Sequence, residues 1–392
     1  MMPLAQRLAA RIRAEGPLRF DLFQEAALYD SEGGYYERAG RVGRAGDFVT
    51  GPSWHPAFGR TIARIARRLA AEEEEERREE ISSKGEEGGG EGLHPPSEVH
   101  DIVDIGAGEG ELVSAADAAL KAWGARDSFH LTGVERSAVR RERAKQACPG
   151  ATWISSFEEI PSSSLSGLIV CYELFDALPV RALFFEGEKL LERVVTLGPG
   201  GEGFAWSLAE CPDGEELLKG LRERGIQLLR NQSLEVRPGV ARLASALAAR
   251  LSKGILLVFD YGAPARALYS AARPNGTLEA FVSHGVTRDV LTEPGSRDLT
   301  AWVDFSELAD AFTAAGLSVT GPVSQSRVLA AGGIFEELAF DSAAPPDPAL
   351  EADRRAAAAL VQPGGMGESI RVLIASRGTA LGSALASWTR PA

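Results

Sequence analysis

Several acidic side chains in this chain directly follow short apolar runs, which is where an open parallel sheet holds its ligand-binding residues. Residues 102–112 read IVDIGAGEGEL, so Asp104 and the glycines Gly106, Gly108 and Gly110 come at the end of an apolar run. Glycines after a strand let the backbone approach a bound group, and a following helix offers free N–H groups. This glycine loop is therefore a candidate ligand site.

Three ligands compete for the glycine loop. A Walker loop needs a lysine near its end, where this chain has Gly110-Glu111-Leu112, so ATP is disfavoured. A dinucleotide fingerprint would need glycine at 111 and would set a pyrophosphate beside Glu109, which weakens that reading without excluding it. S-adenosylmethionine has no phosphate, and its cationic sulfonium and ammonium groups are attracted to acids. The charge of the loop favours this third ligand.

Two of the acids suit a cofactor that contains adenosine. Asp104 could accept a hydrogen bond from a ligand ammonium, or it could simply brace the loop, and the sequence leaves both readings open. Glu135 ends the run TGVE. A carboxylate in that place can hold both ribose hydroxyls, a feature common to nicotinamide and S-adenosylmethionine sites.

A second group of acids suits a cationic substrate. In the segment CYELFDALPV, Glu173 and Asp176 share a face if the chain turns helically, and together they could grip a guanidinium. The alternative is a solvated turn in which Asp176 caps a helix. Asp260 and Tyr261 end another apolar run. His284 has no obvious partner, and an isolated histidine is more often structural than catalytic.

The elements that must position these residues alternate between strands and helices from residue 101, which predicts a mostly parallel sheet with helices on both faces. Helices are expected at about 56–71, 241–251 and 306–315, and a hairpin is expected around Gly198-Pro199-Gly200-Gly201. A late edge strand is expected at 370–375. The predicted core strands are Ile102–Ile105, His130–Val134, Thr152–Ile154, Leu168–Cys171 and Ile255–Phe259.

These patterns divide the chain into three regions. We expect a helical and loop segment over 1–71 that contributes to the active site, and a core over 101–392 with insertions at about 182–240 and 262–303, the second lid-like. Between them, residues 71–98 hold eleven glutamates against Arg77, Arg78 and Lys84, a local charge of −8 out of −13 for the chain. We predict a disordered acidic insertion over 72–100.

Composition excludes several classes of function. The acidic chain has no basic stripe, which argues against nucleic-acid binding, and its three cysteines form no CxxC pair, so neither a zinc site nor a disulfide framework is expected. No apolar run approaches the roughly 20 residues of a membrane span. The Arg-rich start is predicted to be a first helix rather than a mitochondrial leader, and we expect a cytosolic protein.

Longer motifs resemble the MidA/NDUFAF-seven-type family of S-adenosylmethionine-dependent methyltransferases. They are GGYYERAGRVGRAGDFVT, VDIGAGEGEL, ELFDALPV, FDYG, GTLEAFVSHGVTRDVLTEPGSRDLTAWVDF and GGMGESIRVLIASRG. The resemblance implies a class I, Rossmann-like methyltransferase fold in which Gly106, Gly108, Gly110 and Glu135 contact the cofactor. It also implies that Asp47 to Thr50 lie near the active site. Mitochondrial members of the family methylate an arginine of a respiratory complex I subunit.

Together, motifs and resemblance predict methyl transfer from S-adenosylmethionine to a protein side chain, an arginine of a complex I type subunit. The predicted catalytic residues are Glu173, Asp176 and Asp47, and the predicted substrate-binding residues are Phe48, Thr50, Asp260, Tyr261 and His284. The alternative is a non-catalytic assembly factor that keeps the fold. It draws support from departures within the family motifs, where this chain has Gly51, Ser53, Tyr172 and Gly285.

Overall fold

The structure, a computed structural model, describes residues 3–37, 50–83, 99–282, 285–339 and 347–379. The chain divides into two compact units. The parallel-sheet unit comprises Thr50–Tyr172, Ser245–Phe259 and Phe312–Ala392. The antiparallel-sheet unit comprises Met1–Val49, Glu173–Ala244 and Asp260–Ala311.

The helices and strands follow one another along both units. The helices are α1 (Leu4–Glu15), α2 (Phe20–Tyr29), α3 (Gly51–Trp54), α4 (Ala57–Ser83), α5 (Glu111–Ala122), α6 (Ala138–Ala147), α7 (Gly214–Glu223), α8 (Val240–Ala248), α9 (Ala265–Leu268), α10 (Phe305–Ala314), α11 (Gln325–Ala331), α12 (Phe335–Leu338), α13 (Pro348–Ala358) and α14 (Met366–Ser369). The strands are β1 (Leu18–Arg19), β2 (His100–Ile105), β3 (Phe129–Val134), β4 (Thr152–Ile154), β5 (Leu165–Tyr172), β6 (Arg181–Phe185), β7 (Leu190–Leu197), β8 (Phe204–Glu210), β9 (Gln232–Val236), β10 (Leu251–Ala263), β11 (Glu279–Val282), β12 (Gly285–Thr287), β13 (Asp298–Thr300), β14 (Val303–Asp304), β15 (Ser318–Ser324) and β16 (Ile370–Arg377).

The sheet of the parallel-sheet unit has the strand order β15-β16-β10-β5-β2-β3-β4. Strands β10, β5, β2, β3 and β4 pair in parallel, each with its neighbour in that order. Their near-continuous apolar sequences fit a sheet that is buried on both faces. The predicted core strands are therefore confirmed.

The prediction of a late edge strand is wrong in its position. Strand β16 lies between β10 and β15, and β15, which pairs antiparallel with it, forms the edge. The sequence of β15, SVTGPVS, contains a glycine and a proline and is half exposed. Glycine and proline are typical of an edge strand, and they interrupt the apolar pattern by which a strand is recognised in a sequence.

Helix α4 begins as expected, but it does not end at residue 71. Its apolar residues Ile62, Ile65 and Leu69 are buried, and the helix then runs on through the glutamates to Ser83. Glutamate is a good helix former. The prediction of disorder is therefore wrong for residues 72–83, while residues 84–98 lie outside the described residues.

The acidic part of α4 contacts the parallel sheet. The carboxylate of Glu73 lies 3.3 Å from Nδ1 of His100, and both side chains are buried. The carboxylate of Glu76 lies 2.9 Å from Nζ of Lys253. Glu73 and Glu76 are therefore part of the packed unit. The run of like charges in the sequence suggested, wrongly, that they would be fully solvated.

The antiparallel-sheet unit contains a sheet of order β1-β7-β6-β9, with β8 paired to β7, and a small sheet of order β12-β11-β13. Strands β7 and β8 form the hairpin expected around residues 198–201. Its core includes Phe20 and Phe23 of α2. On the same helix, the buried Gln24 donates to Leu299 O and accepts from Val180 N, at 3.0 and 2.9 Å.

Candidate active site

The glycine loop joins β2 to α5 in the parallel-sheet unit. Gly106, Gly108 and Gly110 have φ values of 81°, 57° and 87°, which glycine adopts without strain. The N–H groups of Gly106 and Ala107 donate to Val134 O at the end of β3, at 2.9 and 3.0 Å. The loop is thus a fixed turn that ends at the N-terminus of a helix, as the sequence predicted.

The carboxylate of Glu135 is held against this loop. One oxygen accepts from Gly108 N at 3.0 Å, and the other accepts from Ser137 N at 2.7 Å. Each carboxylate oxygen can accept a further hydrogen bond. Glu135 therefore stiffens the loop and retains acceptor capacity for a pair of ribose hydroxyls, and its contact with the ribose stays a prediction.

The glycine loop is surrounded by carboxyl groups. Asp104 is buried, and burial, together with the nearby charges of Glu111 and Glu135, raises its pKa to about 8. Burial also raises the pKa of Glu111. Arg143 offsets Glu109 in an ion pair of 2.6 Å, so the case against a pyrophosphate rests on the other three acids. A cationic ligand suits this loop because it would stabilise their charged forms.

A second acidic site follows strand β5 in the antiparallel-sheet unit. The chain after Tyr172 forms a short irregular turn and then strand β6, and no helix of the described residues begins at Asp176. The expected helical turn and the alternative of a helix cap are therefore both wrong. Glu173 adopts a left-handed φ of 48°, an uncommon conformation for a residue other than glycine that is often found at functional sites.

Asp260 holds this turn in place. One oxygen of its fully buried carboxylate accepts from Phe175 N at 2.9 Å and from Asp176 N at 3.2 Å, and the other accepts from Tyr261 N at 2.9 Å. The turn replaces the hydrogen bonds of a helix with bonds to one side chain. Asp260 thus braces the acids; contact of Asp260 or Tyr261 with substrate stays a prediction.

Glu173 and Asp176 each retain a buried oxygen atom, Oε1 and Oδ1, that accepts no hydrogen bond. The other oxygen of Asp176 accepts from the hydroxyl of Thr300 at 2.9 Å. Burial raises the pKa of both carboxyl groups, and for Glu173 the charges of Asp176, Asp260 and Asp298 raise it further. We call Glu173, Asp176, Asp260 and Asp298 the acid cluster. Unpaired, buried acceptors of this kind fit a cation with several N–H donors.

The other predicted residues are only partly described. Thr50 caps the short helix α3 through a reciprocal pair of hydrogen bonds with Ser53, so the departure at Ser53 has a structural role. Gly285 begins strand β12. Asp47, Phe48 and His284 lie outside the described residues. Among the residues that the structure describes, no cluster of His, Cys, Asp and Glu could hold a metal ion.

Sequence reasoning missed four residues of these sites. Thr300 and Asp298 lie in the long family block, which was their only signal, and the hydroxyl of Tyr36 donates to Asp298 Oδ1 at 2.8 Å. Arg237 lies in the unremarkable segment EVRPG and contacts the turn after β5. Neither hydrophobic period nor motif distinguishes a buried arginine from an exposed one.

The model of a protein family described as "Putative S-adenosyl-L-methionine-dependent methyltransferase" matches residues 91–323 of the chain. This chain belongs to that family. A protein arginine methyltransferase NDUFAF7 homolog of Drosophila melanogaster is 27% identical over 355 residues, which cover 83% of this chain and 74% of the relative. The NDUFAF7 protein of Mus musculus is 25% identical over 86% of this chain and 75% of its own length.

The solved structures agree with this assignment. A superfamily member from Burkholderia thailandensis, solved with S-adenosyl-homocysteine bound, superposes with a TM-score of 0.77 at 28% identity. The superposition covers 96% of this chain and 92% of that chain. The predicted Rossmann-like methyltransferase fold is confirmed, and S-adenosylmethionine is the cofactor of this methyltransferase.

The predicted location is wrong. The curated relatives from fly, mouse and zebrafish are all named as mitochondrial proteins, which contradicts the expectation of a cytosolic protein. No helix in the described ranges is both long and apolar enough to cross a bilayer. Helix α1 buries Leu4, Leu8 and Ile12 in the core, as expected for a first helix of the fold.

Proposed function

We propose that this methyltransferase transfers a methyl group to the guanidinium of an arginine side chain in a protein. The single observation that carries the proposal is the pair of buried, unpartnered oxygens on Glu173 and Asp176. A guanidinium presents a planar fork of N–H donors that matches two carboxylates. The curated relatives named as protein arginine methyltransferases support the same acceptor.

In this proposal the cofactor binds at the glycine loop. Asp104 and Glu135 are the acceptors for its ammonium and ribose groups, and the backbone of Gly106, Gly108 and Gly110 allows close approach. When bound, S-adenosylmethionine supplies an electrophilic methyl group. The protein's own contribution is then to orient the acceptor nitrogen and to exclude water.

The acid cluster can also accept the proton that the guanidinium must lose when it is methylated. A guanidinium keeps its proton in proteins because its pKa exceeds about 12, so the acceptor nitrogen loses its proton during or after formation of the N–C bond. Oε1 of Glu173 is the proposed proton acceptor. Its pKa is raised well above the ordinary value by burial and by neighbouring acids, which increases its basicity.

The protein that carries the acceptor arginine is proposed from the family resemblance, which implies a subunit of the respiratory complex I type. Two departures that favoured a non-catalytic assembly factor are accommodated locally, since Gly51 leaves space for the hydroxyl of Tyr172. A scaffold reading predicts complex assembly without methyl transfer, so the same assay separates the two functions.

The test is radiolabelled methyl transfer to lysate from a deletion strain, with mass spectrometry of the labelled residue. Wild type should label arginine, while Glu173→Gln and Asp176→Asn should lose about 100-fold or more of the rate and still bind cofactor in calorimetry. Glu192→Gln is the matched control, since Glu192 is a buried acid of the same unit whose carboxylate is paired with Arg181. Equal labelling by all variants removes the acid pair from the mechanism, and label on another residue type refutes the acceptor.

A further inference from the structure

Arg237 follows strand β9 and has only 4% of its surface exposed. Its guanidinium donates to four backbone carbonyl groups, those of Asp176, Leu178, Ala301 and Trp302, at distances of 2.7 to 3.2 Å. In the described part of the chain, none of its hydrogen bonds goes to a carboxylate. A buried charge is costly unless it is hydrogen-bonded and compensated, so the compensating charge must act across space.

The acid cluster supplies that charge. Asp260 and Asp176 raise the pKa of Arg237 against the larger lowering by burial, and Arg237 in turn lowers the pKa of both carboxyl groups. The other titratable groups that interact with Arg237 are Glu235, Glu307 and Tyr269. Those that interact with the carboxyl groups of the cluster are Tyr36 and Tyr261. Glu307 is in turn influenced by Asp304, Arg224 and Asp310.

The same guanidinium joins two chain segments. One carries Asp176, and the other carries Thr300 and Ala301 at the end of β13. The two segments also contact directly, since Ala301 N donates to Asp176 O at 3.4 Å and the hydroxyl of Thr300 donates to Asp176 Oδ2. Arg237 thus holds the backbone of both segments, and Thr300 on the second segment fixes the side chain of Asp176.

We propose that Arg237 is a positioning residue of the acid cluster, which clamps the backbone around Asp176 and places a fixed positive charge beside the carboxyl groups of Asp176 and Asp260. This inference rests on the proposed function for its consequence in methyl transfer. The four hydrogen bonds of the Arg237 guanidinium go to backbone carbonyl groups, so Arg237 does not occupy the free oxygens of Glu173 and Asp176. Those oxygens remain available to a second cation, the acceptor side chain.

Two variants separate the clamp from the charge. Arg237→Lys keeps the charge but makes fewer of the four bonds, so kcat should fall about tenfold while the pH profile stays that of wild type. Arg237→Met removes both, so the activity at pH 7 should fall about 100-fold and should recover by up to about tenfold per pH unit as the pH rises, because the carboxyl groups then ionise at higher pH. Cofactor affinity should change less than about twofold in both, since a direct cofactor contact is not part of the role.

The matched control is Arg181→Lys, which alters another buried arginine of the same unit that binds Glu192 and Asp213. It should change stability without changing the pH profile of methyl transfer. Where Arg237→Met does not fold, Arg237→Gln replaces it, because an amide can still donate to two of the carbonyls. Equal rates in the Lys and Met variants at every pH, with the wild-type profile, overturn the proposal.

A second measurement does not depend on activity. Loss of the cation raises the pKa of Asp176 and Asp260 in the folded state, so the folded state binds more protons and its stability falls more steeply as pH rises from 5 to 8. Denaturation across this range should show the steeper fall for Arg237→Met and the wild-type slope for Arg237→Lys. If wild type methylates no arginine, the proposed function fails, and this comparison still decides the role of Arg237: equal slopes refute it.

Discussion

The hydroxyl oxygen of Tyr172 lies 2.6 Å from the position that a Cβ atom on Gly51 would take. The same hydroxyl donates to Gln325 Oε1 at 2.9 Å, and the ring stacks on Phe259 with centroids 5.5 Å apart. Both residues depart from the usual family motifs, and they do so in one place. The absence of a side chain at Gly51 therefore makes room for the Tyr172 hydroxyl within the parallel-sheet unit.

This contact predicts a coupling between the two positions. Gly51→Ala should lower the free energy of unfolding by about 1–3 kcal/mol, because the new methyl group overlaps a fixed hydroxyl. In the background of Tyr172→Asn the same change should cost about 1 kcal/mol less. Tyr172→Phe should relieve it less than Asn, since ring atom Cζ would still lie 2.9 Å away. Urea denaturation of the double-mutant cycle measures the coupling, and additive costs would contradict it.

Cofactor affinity should depend on pH through Asp104. Its pKa is raised to about 8, so the carboxyl is largely protonated at neutral pH before a cation binds. Affinity for S-adenosylmethionine should therefore rise from pH 6 to about 8.5, by at most about tenfold per pH unit for one proton, and then level. Calorimetry in buffers of different ionisation enthalpy should detect the released proton. Asp104→Asn should bind weakly at every pH.

Asp104 should also make the fold less stable at high pH. A folded-state pKa above the ordinary 3.8 means that the folded state holds the proton longer, so stability falls as pH rises from about 4 to 8. Asp104→Asn should remove this fall and unfold at a higher temperature than wild type at pH 8. A lower melting temperature for the variant at pH 8 would show that the carboxylate is compensated by donors of the fold.

The glycines of the loop should respond differently to alanine. A Cβ atom at Gly110 would lie 2.6 Å from Trp153 Cη2, so Gly110→Ala should destabilise the fold by about 1–3 kcal/mol. At Gly108 the nearest atom is 3.9 Å away, so alanine there should cost only about 1 kcal/mol for its left-handed φ but should weaken cofactor binding strongly. Gly124→Ala is the control, because its φ is 64° with open space around it. Unchanged cofactor affinity in Gly108→Ala would place the ligand elsewhere.

The glutamates of helix α4 should contribute unequally to stability. Glu73→Ala leaves the buried His100 without its carboxylate, which should cost about 1–3 kcal/mol. Glu76→Ala breaks a partly exposed ion pair with Lys253 and should cost about 0–1 kcal/mol. Thermal unfolding of both variants tests the order. Equal, negligible losses would restore the sequence-based expectation of a solvated tract.

The sequence predicted the parts of the sites that rest on local pattern. The glycine loop and Glu135 follow apolar strands whose order is fixed by parallel pairing, so their meeting could be anticipated. Glu173 and Asp176 were found for a reason that the structure does not bear out, since they lie on an irregular turn and not on a helix. That turn depends on Asp260, 84 residues from Asp176, and no local propensity encodes such a contact. Arg237 was missed for the same reason.

The division of the antiparallel-sheet unit over three chain segments has a consequence for biosynthesis. Gln24 and Phe20 lie on helix α2, whose partner Leu299 is made 275 residues after Gln24. At a synthesis rate of about 5–20 residues per second, Gln24 waits roughly 15–55 seconds for that hydrogen-bond partner to be made. Phe20 and Phe23 on the same helix contact Trp206 and Phe204, which are made earlier, so the apolar contacts of the helix can form before its buried polar contact is complete.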